Sequence, residues 1–269
     1  MTVHAFDAAI ALAPQGDGVW QGQTSPAYAN MIGPFGGITA AQALNAVLQH
    51  PQRLGEPVAF TVNFAAALHD GAFAALSRPA RTNRSTQHWV VELRQGEQTV
   101  VTATAVTALR RETWGATEAP LPEVPRPDEV PPPSRAGRVE WLDRYDMRFI
   151  DGGFPPVWDG ADEQDSRTQL WMRDTPPRPL DFASLAALAD VFFPRIWRRR
   201  AKLTPLGTVS MTVYFHCSAA QLQATGTGYL LGQAQAQAFR DGYFDQTAQL
   251  WNEAGHLLAT THQVVYYKE

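Results

Sequence analysis

Phe60-Thr61-Val62-Asn63-Phe64 and Met211-Thr212-Val213-Tyr214-Phe215 are one five-residue pattern written twice, 151 positions apart. In both copies apolar and polar positions alternate, as in strands with one buried face: Val58, Phe60, Val62 and Phe64 in the first, Val209, Met211, Val213 and Phe215 in the second. Upstream of each copy the period changes to that of a helix, with Ile38, Ala41, Leu44 and Leu48 before the first and Phe182, Leu185, Leu188 and Phe192 before the second. Downstream, further strands are expected at Phe73 to Arg78, Trp89 to Leu93 and Thr99 to Leu109, then at Tyr229 to Phe239, Phe244 to Trp251 and Leu257 to Tyr267. Polar turns at Gln95-Gly96-Glu97 and Asn252-Glu253-Ala254-Gly255 separate them. Each half thus reads as one amphipathic helix followed by a meander of antiparallel strands. The fold class is α+β, with two curved antiparallel sheets that each wrap a central helix.

Between the halves, prolines 120, 122, 125, 127, 131, 132 and 133 exclude helix and central strand. The chain divides into an N-terminal domain at 1–117, a Pro-rich linker at 118–137 and a C-terminal domain at 138–269. A second proline-interrupted stretch, 154–179, reads as a long surface loop and a candidate lid.

The 269 residues carry 22 Lys and Arg against 26 Asp and Glu, a net charge of −4 that offers no field for nucleic acid or an anionic membrane. One cysteine, Cys217, closes no internal disulfide and builds no Cys-based zinc site. The N-terminus lacks a basic leader, and no apolar run approaches the roughly 18 residues of a spanning helix, so the expected location is the cytoplasm. No G-x-S-x-G elbow, H-E-x-x-H, G-x-G-x-x-G or Walker pattern is present. Cys217 follows His216 directly on a strand, and the opposed directions of the two side chains exclude a Cys-His dyad.

Phe35-Gly36-Gly37-Ile38-Thr39-Ala40-Ala41-Gln42-Ala43-Leu44 resembles the segment that opens the hotdog helix in the acyl-CoA thioesterase II (TesB-like) family. Three segments of the second half are similar to that family's active-site segments in order and spacing: Ala187-Leu188-Ala189-Asp190, Thr208 leading into Val213-Tyr214-Phe215-His216, and Leu258-Ala259-Thr260-Thr261-His262-Gln263. The resemblance implies a double hotdog that hydrolyses a fatty or related acyl-CoA to the free acid and CoA, without metal or redox cofactor. It also implies that Asp190, Thr208 and Gln263 orient the attacking water. After the Thr the family commonly has an Asp-His pair, where this chain reads Val209-Ser210-Met211. In the first half the position matching Gln263 is Ala105, so one working site per chain is expected.

The residues themselves leave alternatives open. Asp190, beside Leu188, Ala189 and Phe192, is either a desolvated base of raised pKa or an exposed residue paired with Arg195. Thr208 starts a strand whose apolar stripe is taken to begin at Val209, which turns its hydroxyl to the face of Ser210, Thr212 and Tyr214. Gln263 is either an exposed edge residue or a buried donor. Gly36 and Gly37 either let the backbone approach substrate or serve a tight turn. Coenzyme A phosphates call for cations, either Arg81 and Arg84 or the run Arg198-Arg199-Arg200. Trp89, Trp141, Trp171 and Trp197 are candidates to stack on adenine or to pack the core. The rival activities are a hotdog acyl-CoA hydratase or dehydratase, which wants an Asp-His pair on one hotdog helix, and a non-catalytic acyl-CoA-binding module. Open sheet edges point to a homo-oligomer, a dimer of double hotdogs, with no nucleic-acid or membrane partner.

Overall fold

Alternation in the two repeated segments produces two long strands, and everything else is arranged around them. The computed structural model describes residues 3–132 and 139–269. Along the first half run α1 (Ala5–Ala9), β1 (Ala13–Gly16), β2 (Val19–Gln23), α2 (Gly36–Leu48), β3 (Glu56–Phe64), β4 (Ala72–Thr82), β5 (Thr86–Gln95) and β6 (Gln98–Ala108). The second half runs β7 (Tyr145–Asp151), β8 (Thr168–Asp174), α3 (Phe182–Leu188), α4 (Arg195–Arg200), β9 (Leu206–Phe215), α5 (Ala219–Thr225), β10 (Leu230–Gln235), β11 (Phe239–Arg240), β12 (Tyr243–Asn252) and β13 (Leu257–Tyr267).

The expected pair of sheets is one sheet. Its order is β1-β2-β4-β5-β6-β3-β9-β13-β12-β10-β8-β7, with β11 on β12. The join is antiparallel β3 on β9, where Phe60 faces Val213 and Val62 faces Met211. Each repeated strand would otherwise end its half-sheet with a row of open backbone groups, and pairing them satisfies both edges. At the join Thr61 and Thr212 place their hydroxyls 3.0 Å apart.

α2 is buried on all sides from Gly37 to Val47, as a helix enclosed by its sheet must be. Of its three buried polar residues, two bond the N-terminal segment, Gln42 donating to the Ala9 carbonyl at 2.8 Å and Asn45 to that of Ile10 at 2.7 Å, while Thr39 donates to the Phe35 carbonyl at 3.3 Å. Residues of both halves, among them Ile38, Leu44, Phe60, Leu185, Met211 and Leu250, form one continuous core.

Two expectations need correction. β8 lies inside the stretch 154–179 that reads as loop, because Leu170, Trp171 and Met172 fill the space between its prolines; the irregular segment is the shorter run from 152 to 167. The second helical pattern extends to Phe192 in sequence, but α3 stops at Leu188. The Pro-rich connector is docked on the outer face of the second half. Trp171 Nε1 donates to the Pro125 carbonyl and Trp251 Nε1 to that of Ala119, and Val130 packs with both rings. Residues 133–138, which include the end of the expected linker and the start expected for the second domain, lie outside the described residues.

Candidate active site

Because α3 ends early, Asp190 sits in a tightened turn beyond it, its amide donating to the Ala187 carbonyl at 3.1 Å. From there the carboxylate meets the first turn of α2. That helix begins Phe35-Gly36-Gly37 with no side-chain cap of its own, and the Gly37 amide faces the Asp190 carboxylate. A helix N-terminus favours such an anion. Both glycines are needed for the approach. A Cβ on Gly36 would lie 2.7 Å from Asp190 Oδ2, and one on Gly37 would lie 2.4 Å from the Phe35 ring and 2.6 Å from the Ala187 carbonyl oxygen.

Gln263, buried on β13, donates from Nε2 to Asp190 Oδ1 at 2.9 Å, with Met211 Sδ 3.4 Å from the same nitrogen. Part of Asp190 still reaches solvent, but its carboxylate is walled in. Desolvation pushes its pKa from 3.8 up to about 7, against the opposing pull of Gln263 and the Gly37 amide. The expected alternative partner, Arg195, is elsewhere: it is fully buried and donates to the Ser166 carbonyl, the Thr168 hydroxyl and the Phe193 carbonyl.

Thr208 is on the same face as Gln263, which corrects its expected orientation. In register, Ser210 pairs with Val264 and Thr208 with Val265, so Val209 is an extra residue in β9. This bulge resets the alternation, leaving Val209 exposed and turning Thr208 inward with Met211. Thr208 and Gln263 are then diagonal neighbours, about 7 Å apart by strand geometry. The Thr208 hydroxyl has no hydrogen bond to Asp190 or Gln263. Gln246, opposite Gln263 on β12, and Thr261, two residues before it on the same face, are also buried, and Thr261 Oγ1 has no partner among the described residues. Polar residues at i and i+2 on a buried strand face were the available signal for Thr261.

The remaining candidates are placed apart from this cluster. Arg81 and Arg84 are exposed at the β4–β5 hairpin, whose Gln87 is bonded to Gln52 and Leu54 just past the C-terminus of α2. The glycine pair and Asp190 are at that helix's other end, about 20 Å away for 13 residues. Arg198, Arg199 and Arg200 face Glu163, Asp162 and Glu269 and so tie the irregular segment to α4. That segment also lays Phe154 and Trp158 against Phe193, three residues past Asp190. Trp89, Trp171 and Trp197 are hydrogen-bonded in packed positions, whereas Trp141 stacks on Phe35 at 4.1 Å beside the glycine pair. Cys217 is buried, its thiol pushed up to about 12, and His216 points to Thr260. Among the described residues no group of three or more His, Cys, Asp and Glu side chains is placed to hold a metal ion, and no helix is long and apolar enough to cross a membrane.

Comparison with known proteins identifies this frame. A conserved protein of unknown function with a hot dog fold from Alicyclobacillus acidocaldarius is 48% identical, covers 100% of this chain and 99% of its own, and superposes with a TM-score of 0.94. A tesB protein of Mycobacterium avium subspecies paratuberculosis has the same fold at 19% identity and TM-score 0.79, covering 99% and 100%. So does the acyl-CoA thioesterase II TesB2 of Mycobacterium marinum, at 16% identity, TM-score 0.75 and 98% coverage of both chains. A search of curated proteins finds no match. The acyl-CoA thioesterase N-terminal domain matches residues 25–108 and the C-terminal domain residues 120–267, more than half of the chain. The chain belongs to the acyl-CoA thioesterase family.

Proposed function

We propose that the protein hydrolyses the thioester of a fatty or related acyl-CoA to the free acid and CoA. The observation that carries this reading is the Asp190 carboxylate, poised at about 7 and held between Gln263 and the start of α2. A base poised near the working pH is what activation of water requires. Asp190 takes one proton from the water as its oxygen bonds to the thioester carbon. When the carbon–sulfur bond breaks, that proton passes to the departing CoA sulfur. Gln263 holds the carboxylate in place, and Thr208, inward on the neighbouring strand, orients the water. A hydratase or dehydratase reading gains no support, because no histidine is among the hydrogen-bond partners of Asp190 and neither α2 nor α3 contains one.

The test is CoA release from short, medium, long and aromatic acyl-CoAs, with Cys217 corrected in the blank, for the wild type and Asp190→Asn. Cleavage of at least one substrate, reduced on the order of 10²-fold or more in the variant, is expected. Binding without CoA release would instead mark a non-catalytic acyl-CoA-binding module.

A further inference from the structure

Two N–H donors around Asp190 are committed to its carboxylate. Gln263 Nε2 donates to the carboxylate, and the Gly37 amide faces it. Thioester hydrolysis also needs a donor aimed at the carbonyl oxygen, which gains negative charge as water adds. Besides Thr261 Oγ1 on the strand of Gln263, a second buried hydroxyl nearby is unspent. Tyr145 begins β7 and is almost wholly buried, and its hydroxyl has no hydrogen-bond partner among the described residues. Its ring packs edge-on against Phe35 at 6.0 Å, and Phe35 is the residue immediately before the glycine pair that receives Asp190. Trp141 and Tyr28 close the other sides, at 6.1 and 6.2 Å. In register Tyr145 stands directly opposite Asp174, yet Asp174 receives the Ser184 hydroxyl at 2.5 Å and not that of Tyr145.

A buried hydroxyl left unpaired is costly, and service to a ligand is one reason for a protein to retain that cost. We infer that Tyr145 donates its hydroxyl hydrogen bond to the thioester oxygen of the bound acyl-CoA, an inference that rests on the hydrolase reading above. Burial and the nearby Tyr28, Asp174 and Asp190 hold its pKa well above that of an ordinary phenol, so the donor stays protonated. Tyr28, whose hydroxyl is also buried and unpartnered, lies one ring further from the glycine pair and provides the control.

The experiment is Tyr145→Phe and Tyr28→Phe beside wild type, measured for kcat, KM, pH profile and melting temperature. Tyr145→Phe is expected to lower kcat on the order of 10²-fold, as loss of an oxyanion donor does, with KM little changed. Its pH midpoint should stay at the wild-type value, because Asp190 is untouched. Its melting temperature should hold or rise, since no hydrogen bond is lost in the free protein. Tyr28→Phe is expected to keep wild-type kcat. Wild-type kcat in Tyr145→Phe overturns the inference, and so does a fall in kcat that comes with a lower melting temperature, the sign of a structural hydroxyl. A wild type that cleaves no acyl-CoA overturns the hydrolase reading itself, whereas an active wild type matched by Tyr145→Phe overturns the role of Tyr145 alone.

Discussion

The carboxylate of Asp190 is raised to about 7 by burial and has no neighbouring charge that compensates it. In the unfolded chain it returns to about 3.8, so between these values the folded state binds more protons than the unfolded one. Asp190 therefore makes stability fall as pH rises through that window and adds no further change above about 7. Asp190→Asn keeps an oxygen for Gln263 to donate to but removes the buried charge. At pH 8 the variant is expected to melt at least about 2 °C above wild type, the smallest shift that 1 kcal/mol gives in a chain of this size. At pH 5 the difference should shrink. A variant that melts lower than wild type at pH 8 would show the charge to be well compensated in the fold. This role of Asp190 was half legible in the sequence. Its apolar neighbours indicated desolvation, but the contact with Gly36 and Gly37 joins residues far apart in the chain, and only the packing of α2 against α3 brings them together.

At the level of elements, the bulge in β9 decides which way Thr208 points. β3 carries the same irregularity, since its register shifts between Pro57 and Ala59 and leaves Val58 as the extra residue. Two bulges at matching places argue for a built feature of the repeated strand. Deleting Val209 removes the extra residue and leaves Thr208 opposite Val265, still on the inner face under plain alternation. The deletion is expected to keep most of kcat/KM, whereas Thr208→Val, which removes the inward hydroxyl, is expected to lose about 10-fold or more with far-UV circular dichroism retained. Full activity in Thr208→Val would remove Thr208 from the site. The bulge was hidden in the sequence because Val209 extends the apolar stripe without a break, and no glycine or proline marks the extra residue. β8 was hidden for the opposite reason, since prolines on both sides mask a short buried strand. The long alternating strands were legible because one face of each is buried over much of its length.

Across the whole molecule, one sheet carries two copies of the same frame and a single candidate site between them. Met211 faces Gln263 on β13, and its counterpart Phe60 faces Ala105 on β6. Gln246 opposes Gln263, and Trp89 opposes Ala105. The first half therefore fills with alanine and tryptophan the space that the second half gives to two glutamines, while it contributes the helix start that receives Asp190. The 151-residue repeat made the two halves readable in the sequence, and the alignment of Ala105 with Gln263 made their inequality readable. The edge join of β3 to β9 was not readable, because no local pattern states which strand edges meet. If the protein has one such site, its activity titrates through one group. The measurement that tests this most directly is the pH dependence of kcat/KM for acyl-CoA hydrolysis by wild type and Asp190→Asn. The predicted result is a single rise with a midpoint near 7 in wild type, lost together with most of the activity in the variant. A midpoint near 3.8, or a variant that follows the wild-type curve, would contradict the assignment of Asp190 as the base.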